Sequence, residues 1–428
     1  MISITLLSIV GIIIMLLHSP QWTRTGRWVG VLGTIAALFL IRFDNTILVP
    51  TIEVTRLGNL WAGLILGLLL LILLLIPNRN ALHPVKNDHL ALLIFATVGA
   101  LILTRFDHIV TLILGLEILS IPLYVLAAQS HTSRSYEASL KYFILGAFSS
   151  AVLIFGFALW YRSTGMLMIP GPIVTDMVGQ CGIVLILGAM LFKVGLVPFH
   201  YWVPDVYEGT PTGFTAYMAS IPKVAAFAAL FRVAQLLPSD TWISIATILG
   251  SISIIWGSLG AFRQSKLKRL LAYSSIAQAG FWILMLNSNQ FSVYFGFAYA
   301  TASILLLWIL DIVEANTRSH SFTGLIHQNR ILGAIAIVAL VSLTGIPPFA
   351  GFYAKYSSLY ATMDRGSSIA VGIALIGSAM GAYYYLRHIA QIITHPETPY
   401  RIEAPIVGIL SASVAVGVLV IFGLAPLF

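Results

Sequence analysis

The chain has 428 residues, of which 59% are hydrophobic and only 9% charged, where an ordinary soluble domain carries about 25% charged residues. A water-soluble globular protein is excluded. A mean hydropathy of +0.95, in long unbroken apolar runs, also excludes disorder, a coiled coil and a strand-alternating outer-membrane barrel. The formal net charge of +8 raises nucleic acid as a partner, until the basic residues are placed.

A helix crosses a bilayer with about 20 apolar residues, or fewer where flanking side chains reach the interface. By that measure the sequence is an all-α polytopic membrane protein of about 14 transmembrane helices. They are predicted at 2–17, 28–41, 59–76, 89–104, 108–128, 138–161, 179–207, 213–236, 242–262, 270–286, 291–313, 331–363, 369–392 and 404–427. The first lacks the basic flank and cleavage site of a signal peptide and reads as a retained helix.

With both termini outside, the inward loops collect Arg24, Arg27, Arg79, Lys86, Arg134, Lys141, Arg263, Lys266, Lys268, Arg269, Arg318, Arg330, Arg387 and Arg401. Outward loops hold only Arg42, Arg56, Arg105, Arg162, Arg232 and Arg365. This asymmetry obeys the positive-inside rule. The basic balance therefore reports topology, and no nucleic acid is expected. Short loops and the lack of a polar domain make residues 1–428 a single membrane domain.

The lone Cys181 cannot form an internal disulfide or a cysteine-ligated cluster, and the histidines lack ligand spacing. No metal and no cofactor are expected in this chain. GxGxxG and GxxxxGK[ST] are absent too, so energy must come from a gradient or a partner protein.

Four charges remain inside the apolar runs, where each costs about 2.5–3.5 kcal/mol or more. Glu117 lies in TLILGLEILSIPLYVL, where the alternative to a functional role is a helix–helix hydrogen bond. Lys193 lies in LILGAMLFKVGLVPFHYW, two residues before Gly195 and five before Pro198. A broken helix carrying a lysine is how transporters build ion sites; snorkelling to the interface is the alternative. Lys223 sits mid-span beside Pro222. Lys355 follows Pro347 and Pro348 in 331–363, a run too long for one straight crossing.

The breaks Gly195-x-x-Pro198-Phe199 and Gly345-x-x-Pro348-Phe349 recur five helices apart. An odd offset predicts two inverted five-helix repeats, each with a broken helix, the seventh and the twelfth. The first repeat would span 89–236 and the second 242–392, with helices 1–3 in 1–88 and the last helix in 404–428. Desolvation disfavours a lysine's charged form and a nearby carboxylate restores it. Moving Glu117 relative to Lys193 would thus load or release a proton, the pair titrating as one unit. Ser274, Ser275 and Gln278 in LLAYSSIAQAGF are possible relay groups, although serine is also ordinary packing glue. Asp311 reads as an interfacial group, and His327 and residues 263–269 as inner loops.

The run FKVGLVPFHYWVPDVYEGTPTGFTAYMASIPKVAAFAALFRV, 192–233, resembles the antiporter-like membrane subunits of respiratory complex I. LEILSIPLYVL, EASLKYFILGAFSS, LKRLLAYSSIAQAGF and LTGIPPFAGFYAKY agree, so the resemblance covers most of 105–390. PDVYEGTPT at 204–212 points to the N branch. The resemblance implies that Glu117, Lys193, Lys223 and Lys355 carry protons in a translocase, NADH:quinone oxidoreductase. FMN, iron–sulfur clusters and quinone would belong to partner subunits, both membrane and peripheral, including sister antiporter-like subunits. The chain would lie in a bacterial or archaeal cell membrane. A cation/proton antiporter of the Mrp type, a ferredoxin- or hydrogenase-linked relative, and a structural spacer whose lysines never titrate are the competing readings.

Overall fold

The computed structural model describes residues 2–17, 19–44, 52–76, 85–169, 171, 174, 176–285, 290–317, 319–395 and 401–424. Arg79, Arg318 and the last residues of the spans expected at 270–286 and 404–427 lie outside them.

The described residues form α1 (Ile2–Leu16), α2 (Thr23–Leu40), α3 (Arg56–Leu75), α4 (Asn87–Leu103), α5 (Ile109–Ala127), α6 (Ser133–Thr164), α7 (Met177–Val194), α8 (Trp202–Gly209) and α9 (Thr212–Met218). They continue with α10 (Ile221–Val233), α11 (Ser239–Phe262), α12 (Leu267–Ile283), α13 (Gln290–Thr317), α14 (Leu325–Gln328), α15 (Arg330–Thr344), α16 (Ala350–Asp364), α17 (Ser368–Ile393) and α18 (Ile406–Leu424). Among the described residues, ten helical stretches are long and apolar enough to cross a membrane, and α1, α4 and α15 are shorter apolar helices. This is a multi-pass helical membrane protein. Helices alone meet the requirement that backbone groups in lipid be satisfied within the segment.

Burial sorts the helices into a centre and a rim. The α9–α10 stretch and α13 are 94% and 89% buried, while α17 and α18 are 33% and 28% buried. Rim helices turn large apolar side chains outward, as α6 does with Leu140, Phe148 and Phe155. Most of the polar side chains described below therefore sit at the centre, away from lipid.

Local chemistry explains where helices stop. α7 ends at Gly195 (φ 74°) and α15 at Gly345 (φ 85°), a left-handed conformation that glycine adopts without a Cβ penalty. Each is followed by an X-Pro bond, Val197–Pro198 and Pro347–Pro348, both cis. One further interruption departs from the sequence reading. The span expected at 213–236 is two helices, α9 and α10, parted at Ser220. Pro222 cannot donate a backbone hydrogen bond and its ring clashes with a preceding carbonyl. The Ser220 hydroxyl donates instead to the Ala216 and Tyr217 carbonyls, at 2.7 and 3.0 Å.

Several charges also lie elsewhere than expected. Lys268 and Arg269 belong to the first turn of α12 rather than to a loop. Asp311 is buried, not interfacial, at 7% exposure, because α13 is wrapped on most sides by other helices. It lines a 30 Å³ cavity with Gly213, Phe214 and Trp308. Arg105 is fully buried, bonded to Asp44 and Asn59, both at 2.8 Å. Its guanidinium ties the end of α4 to α3 and to Asp44, four residues past the end of α2.

Candidate functional site

At one end of the bundle, the basic end, Glu208 closes α8 among cations. Its carboxylate meets Lys266 at 2.7 Å, Arg269 at 2.9 Å and Arg134 at 3.5 Å. Asp205 meets Arg269 and Lys141, both at 3.1 Å. Burial pushes the Glu208 carboxyl up, but the hydrogen bonds from Lys266 and Arg269 outweigh it and hold the group at about 2. A depressed carboxyl stabilises the fold fully above its unfolded value near 4.5 and loses that contribution as pH falls towards 2. Glu208→Gln is expected to cost about 2 kcal/mol, since hydrogen bonds to charged groups contribute that much. Thermal unfolding should show the loss from pH 6 to 8, and the gap between variant and parent should narrow below pH 4.5 and close towards pH 2.

Glu208, Lys266 and Arg134 also border a 210 Å³ polar cavity, together with Thr212, Lys268, Glu314 and His320. Lys268 donates to the Thr210 carbonyl at 2.6 Å. Thr212 donates to Glu314 at 2.5 Å, and Glu314 pairs with His320 at 2.8 Å.

Deeper in, the intramembrane charges fall into two groups, each bonded to polar partners. Lys193, in the last turn of α7, donates to the Ser120 hydroxyl at 3.1 Å. Ser120 lies one turn beyond Glu117 on α5, and Glu117 accepts from Ser150 of α6 at 2.5 Å. Both Glu117 and Lys193 are half-buried. Lys223 is enclosed, at 4% exposure. Its ammonium donates to the Ser275 carbonyl at 2.9 Å and hydroxyl at 3.0 Å, and lies 5.6 Å from the Tyr299 ring centre. An ammonium over an aromatic face keeps favourable electrostatics without water.

The two breaks solve the same problem differently. A helix end leaves carbonyls without intrahelical partners and carries partial negative charge. At the first break the Trp202 indole donates to the Phe192 carbonyl at 3.0 Å. At the second the Lys355 ammonium, 6% exposed, donates to the Thr344 carbonyl at 2.9 Å and stands 5.2 Å from the Phe281 ring.

Between Lys223 and Lys355 runs α12. Ser275 holds Lys223, Ser274 shares a hydrogen bond with the Tyr385 hydroxyl of α17, and Gln278 donates to the Leu343 carbonyl at 3.1 Å. Leu343 adjoins Thr344, the acceptor of Lys355. The structure thus gathers Lys223, Ser274, Ser275, Gln278 and Lys355 around one helix, and sets Glu117 and Lys193 together beside α5. Sequence reasoning missed Ser120, which its three-residue spacing from Glu117 on a helix signals. It also missed Ser150, Tyr299 and Tyr385, which lie far away in sequence and carry no local signal. Among the described residues, no three His, Cys, Asp or Glu side chains stand together as a metal-ligand set.

Known proteins resemble this chain in sequence and in fold. Residues 107–381 match the family described as NADH:quinone oxidoreductase/Mrp antiporter, TM. NADH-quinone oxidoreductase subunit N of Cytophaga hutchinsonii is 37% identical over 358 residues, covering 80% of this chain and 78% of the relative. A chain of respiratory complex I from Thermus thermophilus superposes with TM-score 0.88 at 31% identity, over 99% of this chain and 97% of that one. A chain of the Mrp complex from Dietzia sp. shares the fold alone, with TM-score 0.87 at 18% identity over 98% and 92% of the two chains. The chain belongs to the NADH:quinone oxidoreductase/Mrp antiporter family, in the subunit N branch of NADH-quinone oxidoreductase.

Proposed function

We propose that this chain is a proton-translocating subunit in the membrane arm of NADH:quinone oxidoreductase, moving H+ along Glu117, Lys193, Lys223 and Lys355. The single observation that carries the reading is the file of polar groups on α12, where Ser275, Ser274 and Gln278 stand between two enclosed lysines. Buried ammonium groups can lose and regain protons, and serine hydroxyls, a glutamine amide and intervening water can bridge them. The polar cavity at the basic end serves as the inward opening, towards Lys193 and Lys223, and release is outward past Lys355.

On this reading each interrupted helix counts once and the four-residue α14 is left out, which makes fourteen spans and both termini on one side. The charges of the basic end support that side being the outer one under the positive-inside rule. The breaks at Gly195 and Gly345 then lie in two inverted repeats, 89–236 and 242–392. Electron transfer, with FMN, iron–sulfur clusters and quinone, belongs to partner subunits. The whole chain is one membrane domain docked against sister subunits.

The test is mild purification from the native membrane, identification of the co-purifying polypeptides, and NADH-driven quinone reduction in proteoliposomes. Recovery with flavin and iron–sulfur subunits and NADH-driven proton uptake is the expected result. Use of ferredoxin as the donor instead would assign the chain to that branch. Recovery with transporter subunits alone and Na+-dependent proton flux would replace the assignment with a cation/proton antiporter. Within the assembled complex, Lys193→Ala should lower proton translocation about tenfold or more, as removal of a positioned proton-transfer group does; unchanged pumping would leave Lys193 a structural group.

A further inference from the structure

Helix α17 carries a polar file that the reading above does not use. It is a rim helix, with Tyr383, Leu386 and Ile393 turned outward and exposed. On its other face, spaced by three or four residues, stand Tyr385, His388, Gln391 and, just beyond the helix, His395. That spacing aligns side chains along one helical face. The file grades from water to core. His395 is exposed and stacks on exposed His327, ring centres 4.3 Å apart. Gln391 is half-buried, His388 is 3% exposed and Tyr385 is fully buried.

His388 is the unusual member. Its Nδ1 meets the Gln391 side-chain oxygen at 2.7 Å, while its Nε2 is buried with no hydrogen-bond partner. An orphaned buried ring nitrogen weakens the fold, a penalty that an apolar side chain at this buried position would not carry. One turn deeper, Tyr385 shares its hydroxyl hydrogen bond with Ser274. Ser274 neighbours Ser275, the partner of Lys223, and lies one turn from Gln278, which reaches the break beside Lys355. The file thus enters the central chain between the two lysines.

We propose that His388, with Tyr385 and Ser274, forms a second proton connection from the basic end to the central polar chain, serving the Lys355 half. The inference rests on the proton-translocating reading and adds a route to it. The imidazole takes a proton on one ring nitrogen and releases one from the other. Tyr385 and Ser274 each receive one proton as they pass one on. Every group ends a passage with the number of protons it began with, the imidazole as its other tautomer until rotation of the ring and hydroxyls resets the path, so no oxidant or other reactant is consumed.

The experiment compares His388→Gln, Tyr385→Phe and the double variant in the assembled complex, reconstituted in proteoliposomes, with Lys223→Met as control. Glutamine keeps a polar partner for Gln391 but cannot be protonated, and phenylalanine removes only a hydroxyl. Protons translocated per NADH oxidised are read for complexes that assemble on native gels. The expected result is an equal loss in each single variant and no further loss in the double, the signature of one path. A wild-type ratio in either single variant, or additive losses, would overturn the connection. Should Lys223→Met itself pump normally, the translocation reading fails first. If that control loses pumping while Tyr385→Phe does not, only the α17 connection fails, whether or not the His388 variant assembles.

Discussion

Lys223→Met in the assembled complex should lower proton translocation and coupled quinone reduction about tenfold or more, since a positioned proton-transfer group typically contributes 10²- to 10⁴-fold. Methionine nearly matches the volume of the lysine stem and suits the apolar surroundings of α10, so the helix should keep its packing. What is lost is the ammonium that meets both the carbonyl and the hydroxyl of Ser275. Among the described residues no other cation is bonded to Ser275, so the α12 chain loses the member that links it to α10. Lys223→Arg keeps a charge but holds its proton at all working pH, and should be impaired like the methionine variant. The decisive measurement is proton uptake alongside NADH oxidation, on complex whose subunit content equals wild type. Near-normal pumping by Lys223→Arg would sink the titration mechanism and support a purely electrostatic role.

The second large effect is on assembly. Gly351, in the first turn of α16, lies so close to α15 that a Cβ there would collide with the carbonyl of Ser342. Backbone cannot yield as a flexible side-chain tip can, so Gly351→Val must push α16 away from α15. Overpacking of this kind costs about 3 kcal/mol. The displacement would also carry Lys355, one turn along α16, away from the Thr344 carbonyl that it reaches at 2.9 Å. We expect a thermal transition of the complex several degrees lower and, in what does assemble, loss of proton delivery. As a contrast, Gly372→Val on α17 meets open space and should leave both unchanged. A Gly351→Val complex as stable as wild type would refute the close packing of the two half-helices.

Much of the candidate site was legible before any fold was known, and for one reason. In an apolar span a charge is costly, so Glu117, Lys193, Lys223 and Lys355 stand out by composition and position alone. The glycine–proline pairs that stop α7 and α15 are equally local, because a left-handed residue and a missing backbone donor act within a few residues. The same local logic failed at Pro222. It was read only as a neighbour of Lys223, although its clash with the preceding turn splits the eighth span into α9 and α10.

Asp311 shows what local reading cannot reach. Its place near the end of an apolar run suggested an interface, yet α13 is a central helix, and neighbours from α3 and α9 cover the carboxylate. Arg105, read as a loop charge, is sealed against Asp44 for the same reason.

By itself, the sequence determined that the chain is a helical membrane protein, which four charges stand inside its apolar spans, and where two helices must break. Each of these follows from the cost of a polar group in lipid or from the backbone chemistry of single residues. Only the tertiary structure decided which groups those charges meet: Ser120 for Lys193, Ser275 and Tyr299 for Lys223, the Thr344 carbonyl for Lys355, and Tyr385 for Ser274. With the exception of Thr344, these partners come from helices separated by tens of residues from the groups they meet. Helix packing rather than local propensity brings them within hydrogen-bonding reach.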